Sequence, residues 1–288
     1  MILPLCGLLG IVSGVVLLSM AYFRRYRLPR PPLGVLNVSD VAIMIGTIIV
    51  LPFLYLILPG WLMIGVLAVA ALSTLYILWE PVLHRPVLIW LVVVSLVSTD
   101  MALGQRGGLT NTQFIVVNNL VLAGMVVGIT NIWAQSGMRA RDATILGGAL
   151  IVYDVVATSV TGQMRHVMSH LAAFPLVPLF AWPIGQHGQF VGIGLGDVLL
   201  ATVFPLVMRK AFGQQAGVTA MGVGLLTITL TLVGMVIARR AEVFPLMVVL
   251  GPVMLLEYAY WRQRQGVERT TWQYWQAEPM TQRGRSPR

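Results

Sequence analysis

Apolar runs of about twenty residues, the length that crosses a bilayer, recur along the chain between short polar breaks. Nine can be marked off, at roughly 2–22, 40–59, 61–80, 86–104, 114–134, 143–162, 190–208, 217–237 and 243–261. The breaks differ in kind. Pro59-Gly60 divides the second run from the third, "RRYRLPRPPLG" is a stiff basic loop, and "GQRGGLTNTQ" separates the fourth run from the fifth. Residues 168–184 are apolar but hold three prolines, which predicts a short helix, a re-entrant piece or an extended segment lying against the bundle. The predicted fold class is an all-α membrane protein with nine transmembrane helices. Residues 1–261 form a single polytopic domain, and 262–288 form a polar, loosely ordered cytoplasmic tail.

Composition turns the pattern into a membrane assignment. The chain has 288 residues, 57% hydrophobic and 10% charged, against about a quarter charged in soluble domains. Its 19 Lys and Arg residues lie between the apolar runs and in the tail, so membrane topology accounts for the net charge of +9 and nucleic acid is not an expected partner. With the N-terminus outside, 15 of the 19 fall on the inner side and 4 on the outer; without the tail the loops divide 9 to 4. The positive-inside rule therefore predicts N-terminus out and C-terminus in. The first run has no basic leader and is followed by "RRYR", which predicts a retained helix and not a cleaved signal peptide. The lone cysteine, Cys6, excludes an internal disulfide and reads as a small hydrophobe. Short loops and the lack of a soluble domain point to a prokaryotic cytoplasmic membrane.

A carboxylate inside a bilayer costs on the order of 3 kcal/mol or more, so each one asks for a function. Asp40 and Asp142 open their segments, where a carboxylate favours a helix N-terminus. Asp100 lies near the end of its segment and is expected at the interface. Asp154, in "LIVYDVVATSVTG", and Asp197, in "GIGLGD", fall well inside theirs. Counted from inner boundaries at 143 and 208, both lie at a depth of about 16 Å, on adjacent antiparallel helices. Two carboxyls side by side in low dielectric cannot both ionise, so the pair holds one base and one acid. The base can take a proton from a water attacking an amide carbon while the acid hydrogen-bonds to the carbonyl oxygen. This chemistry needs no metal and no other cofactor, and none is predicted. His166 and His170 lack a third ligand and are expected at the outer interface with Arg165.

Gly192, Gly194 and Gly196 alternate just before Asp197. Each costs a helix about 1 kcal/mol relative to alanine. They predict either tight helix packing or a locally extended backbone that a second chain can approach. The second suits a protease in a membrane. Its substrate arrives as a helix, must unwind, and then needs partners such as an exposed strand edge for its freed backbone groups.

Tyr153-Asp154 on the sixth run and Gly194-Leu195-Gly196-Asp197 on the seventh resemble the paired YD and GxGD motifs of the presenilin and signal peptide peptidase family, the intramembrane aspartyl proteases. The stretch "GIGLGDVLLATVFPLVMRKAFG" is similar to the signal peptide peptidase branch in particular. The family's third motif, PAL, opens its ninth span. Here Pro245-Leu246-Met247 takes that place, with Leu for Ala, Met for Leu, and Pro252 seven residues on. The first five runs match only in number and hydropathy. The resemblance implies a presenilin-like bundle whose catalytic helices span about 143–162, 190–208 and 243–261. It implies catalytic Asp154 and Asp197, supported by Tyr153, Gly192, Gly194, Leu195, Gly196, Pro245, Leu246 and Met247. It further implies endopeptidase action, within the lipid bilayer, on transmembrane peptides or remnant signal peptides of type II orientation. The oligomeric state, homo-oligomer included, is left open.

Other readings share these residues. A prepilin-peptidase-like GxGD protease cuts at the cytoplasmic face and carries a lysine where Leu199 stands. A proton-coupled transporter would use the same aspartates as proton carriers, but the chain lacks the duplicated halves common in transporters. A catalytically silent binding protein is a third. Elsewhere, Asn118, Asn119 and Asn131 predict hydrogen bonds between helices. Glu257, Tyr258, Tyr260, Trp261 and Arg262 predict an inner-interface belt, and "TTWQYWQAEPM" a segment lying on the membrane surface.

Overall fold

The structure, a computed structural model, describes residues 2–28, 36, 38–162, 167, 174–184, 189–237 and 245–277. Among these residues are ten helices and one two-stranded sheet. The first five helices are α1 (Ile2–Arg25), α2 (Val38–Ile57), α3 (Gly60–Leu83), α4 (Pro86–Gly104) and α5 (Thr112–Gln135). α6 (Ala140–Asp154) continues into π-helical turns over Val155–Val160. An antiparallel ribbon of β1 (Leu179–Ile184) and β2 (Gln189–Gly194) leads into α7 (Leu195–Phe212). α8 (Gln214–Ile237), α9 (Met247–Gln265) and the short α10 (Thr271–Ala277) complete the order.

Local chemistry sets the boundaries. Pro86 occupies the first position of α4, where its missing N–H costs nothing. Asn111 caps α5 by accepting the Gln113 N–H at 2.9 Å. Asp142 performs the same service for α6, its Oδ2 accepting the Arg139 N–H at 2.9 Å. Gly213, at φ +95°, turns the chain from α7 into α8, a conformation that favours glycine.

Among the described residues six helices are long and apolar enough to cross a membrane: α1, α2, α3, α4, α5 and α8. The three other long helices fall short for chemical reasons. α6 leaves the α-helical pattern after 15 residues. α7 carries Asp197, Arg209 and Lys210, and α9 carries Glu257, Arg262 and Arg264.

α7 is the centre of the packing. Fourteen of its 18 residues are buried, and it packs against α1, α5, α6, α8 and α9. α5 buries 15 of its 24 residues against α1, α3, α4, α7 and β1. Close approach depends on missing side chains: a Cβ on Gly217 would lie 3.1 Å from the Pro205 carbonyl oxygen, and one on Gly251 would overlap Ile151 of α6.

The structure departs from the expected spans in several places. The seventh helix begins at Leu195 and not near 190, because Phe190-Val191-Gly192-Ile193 pairs with β1 as a strand. Glycines weaken a helix there, while the aromatic and β-branched residues between them suit a pleated ribbon. The proline-rich stretch is in part β1, and its residues 168–173 lie outside the described residues. The tail does not begin at 262. α9 runs to Gln265, and α10 docks with Tyr274 buried, its ring 5.6 Å from that of Phe23. Of the supposed interface belt, Tyr258 and Trp261 turn inward: Tyr258 Oη donates to Glu268 Oε1 at 2.7 Å and Trp261 Nε1 to Thr219 Oγ1 at 3.2 Å.

Candidate active site

Asp154 stands at the last α-helical position of α6, and the widened turns begin with the next residue. The Thr161 N–H reaches back five residues to the Val156 carbonyl at 2.9 Å. Such π-helical irregularities concentrate at functional sites. Asp197 is the third residue of α7, one turn from the end of β2. Asp154 lies fourteen residues from the start of α6 and Asp197 fifteen from the end of α7, about 21 and 22 Å of helix rise. These distances along the two helices are alike, and both exceed the expected depth of about 16 Å because α6 starts earlier and α7 ends later than the hydropathy boundaries. The two carboxyls lie within electrostatic reach of each other.

The Pro245-Leu246-Met247 segment completes the cluster. Pro245 lies just outside α9, whose first turn closes with Val248 N–H donating to the Pro245 carbonyl at 3.1 Å. Met247 therefore has an N–H with no partner inside the helix. That N–H donates to Asp154 Oδ2 at 3.1 Å. Leu246 and Met247 are both buried, so the larger side chains in this tripeptide are accommodated in the core. The N-terminal ends of α7 and α9 thus converge on the two carboxyls.

The remaining expected residues surround this point. The Tyr153 hydroxyl is buried and has no partner among the described residues, while its ring packs against the main core. Leu195 ties the ribbon to α7, its N–H donating to the Pro178 carbonyl at 3.0 Å. A Cβ on Gly194 would stand 3.2 Å from Asp197 Oδ2, and one on Gly192 would come within 3.0 Å of the Phe180 carbonyl oxygen. Gly196 differs: a Cβ there meets nothing within 4 Å. Two of the three glycines are thus required by close approach, and the third borders open space.

Three polar residues read differently in the sequence prove to hold the ribbon. Asn118 and Asn119 bond to strand backbone and not to another helix. Asn118 Nδ2 donates to the Val177 and Leu179 carbonyls at 3.0 and 3.2 Å. Asn119 Nδ2 donates to the Ala181 carbonyl at 2.7 Å and its Oδ1 accepts the Ala181 N–H at 3.0 Å. Asp100 is fully buried, not interfacial, and accepts the Leu176 N–H at 2.8 Å. Asn131 behaves as expected, donating to Ser19 of α1 at 3.0 Å. The adjacent pair "NN" in an otherwise apolar run is the signal that could have pointed to backbone without helix.

Among the described residues the ribbon has one covered edge and one without cover. Both polar groups of Ala181 point at Asn119, hence away from β2. Residues opposite one another in an antiparallel ladder share this orientation. Gly192, the partner of Ala181, therefore turns its own N–H and C=O away from β1, and it is exposed. Two carboxyls within electrostatic reach of each other, beside a strand edge that no described residue covers, have the groups that hydrolysis of a peptide bond requires. Among the described residues no group of three His, Cys, Asp or Glu side chains could hold a metal ion; His166 and His170 lie outside them. No protein-family model matches the chain, and no curated protein matches it.

Proposed function

We propose that this chain is an intramembrane aspartic endopeptidase of the presenilin and signal peptide peptidase type, with Asp154 and Asp197 as its dyad. The observation that supports the proposal is that Asp154, held by the Met247 N–H, lies within electrostatic reach of Asp197, which stands in the first turn after β2. On this reading all nine long helices cross the bilayer, with the N-terminus outside and the C-terminus inside. α6, α7 and α9 tolerate their polar residues because apolar helices shield them.

An unwound stretch of a transmembrane substrate joins the β2 edge, so that its backbone groups exchange helix bonds for strand bonds. The ionised carboxyl takes a proton from water as the water oxygen bonds to the scissile carbonyl carbon. The protonated carboxyl donates to the carbonyl oxygen, giving a tetrahedral intermediate. The C–N bond then breaks as the nitrogen takes up a proton. The products are a carboxylic acid and an amine, and the dyad is left with one proton as before. Met247 N–H holds Asp154 in place.

Substrates are transmembrane segments or remnant signal peptides of type II orientation, presented within the membrane of a prokaryotic cell. The test is cleavage of a fluorogenic transmembrane peptide by the purified protein in lipid, beside Asp154→Ala and Asp197→Ala. Cleavage by the parent protein and by neither variant is expected. Cleavage that persists in either variant removes the dyad. Proton flux into proteoliposomes without cleavage assigns the carboxyls to transport.

A further inference from the structure

We infer that Asn119, steered by Asn118, is a positioning residue that permanently occupies the β1 edge and so directs an extended substrate to β2. The inference rests on the proteolytic reading for the identity of the extended chain, and on geometry for the edge itself.

A strand residue offers its neighbour one N–H and one C=O on the same side. The Asn119 amide supplies that pair from a side chain, bonding both polar groups of Ala181 at 3.0 and 2.7 Å. Asn118 takes the next outward carbonyl, that of Leu179, at 3.2 Å. The third outward position is Pro183, which has no N–H to offer. Two of the three outward positions of β1 are therefore covered by side chains, and the third offers a carbonyl but no N–H. Both asparagines sit on α5, one of the buried helices, so the cover is part of the rigid core. Asp100 anchors the chain just upstream through the Leu176 N–H at 2.8 Å, where Leu176 adopts φ +56°.

Among the described residues no side chain covers the opposite edge. Gly192 is exposed, and Gly194 lies against the Asp197 carboxyl. A chain added to β2 runs one strand spacing away, beside the dyad. A chain added to β1 would lie two spacings from β2, about 10 Å, beyond hydrogen-bonding reach of Asp197. Covering β1 thus excludes an unproductive binding mode.

The experiment compares the full-length protein with Asn119→Ala and Asn119→Asp in lipid, by residue-resolved amide hydrogen exchange and by mass spectrometry of the cleaved transmembrane reporter. In Asn119→Ala the Ala181 amide should exchange at least about tenfold faster while helix amides of α7 keep their protection. The reporter should be cut at the parent's position, with kcat and KM both lowered about threefold or more as substrate is held unproductively on β1. Should Asn119→Ala fail to fold, Asn119→Asp serves: it keeps the acceptor for the Ala181 N–H and loses the donor to its carbonyl. Its Ala181 amide should stay protected while kcat and KM still fall together. Unchanged Ala181 exchange in folded Asn119→Ala, or kcat and KM unaltered in both variants, overturns the inference. If the parent protein cuts no transmembrane peptide, the proteolytic reading fails, and the exchange arm still decides whether Asn119 holds the β1 edge.

Discussion

α2 and α5 are both apolar and long enough to cross a membrane, yet 11% of the α2 span is buried against 67% of the α5 span. The difference lies in their polar and small residues. On α5, Asn118 and Asn119 bond to β1, Thr130 and Asn131 to Ser19, and Gln135 to the Leu28 N–H at 2.8 Å. A Cβ on Gly128 of α5 would come within 3.1 Å of the Thr74 carbonyl oxygen on α3. On α2, by contrast, the Thr47 hydroxyl bonds back to Ile43 of its own helix. Apolar faces gain little by leaving lipid for one another, so interhelical bonds and close backbone approach select neighbours. α7 extends the lesson: its composition is too polar for a free-standing span, and it is enclosed by five helices.

The sharpest break between the enclosed and lipid-facing regions is expected at the carboxyls. Asp154→Asn or Asp197→Asn should lower kcat/KM for a transmembrane reporter by about 10³-fold. A pair that shares one proton also predicts a rate that falls on both sides of an optimum. In acid both carboxyls are protonated and the base is lost; in alkali both are ionised and the acid is lost. Initial rates across pH check this, and a rate that stays level into alkali would remove the acid role.

A smaller effect is expected at the C-terminal end of α7. Lys210 is buried, and its Nζ donates to the Ala134 carbonyl at 2.7 Å and to that of Met138, closing the end of α5. Lys210→Met should cost about 2 kcal/mol of stability in thermal unfolding, with the rate per folded molecule preserved. At Gly194 the signs reverse. Its φ of −60° suits any residue, but a Cβ would crowd Asp197 Oδ2 at 3.2 Å. Gly194→Ala should therefore lower kcat about tenfold while the unfolding temperature stays put. Loss of stability without loss of kcat would make Gly194 a packing residue.

The same comparison explains what could be read from the sequence. Apolar length marked the long helices, since any bilayer-spanning helix needs it, whatever its neighbours. The like distances of Asp154 and Asp197 along their helices were legible because two antiparallel helices share one ruler. The ribbon was half legible: alternating Gly192 and Gly194 signalled backbone that was not helical, but the partner strand lay beyond a proline-rich stretch with no strand periodicity. Asp100, Asn118 and Asn119 were misjudged because hydropathy places a polar residue at a depth and says nothing of which way it faces. Met247 left no side-chain signal at all, since it contributes a backbone N–H.

The smallest predicted effect tests the lipid-facing side. Ile43 on α2 is 66% exposed and Ile115 on α5 is 2% exposed. Ile→Val removes the same methylene from each. At Ile115 the loss leaves a gap among Leu109, Phe114 and the β1 residues Leu179 and Ala181, with a cost of about 1 kcal/mol. At Ile43 lipid fills the space in the folded and unfolded states alike, so the cost should stay below about 0.5 kcal/mol. Denaturation in one detergent–lipid mixture measures both. Equal losses would mean that α2 is covered in the assembled protein, as by a second copy of the chain, and the exposed face would then be an interface and not a lipid contact.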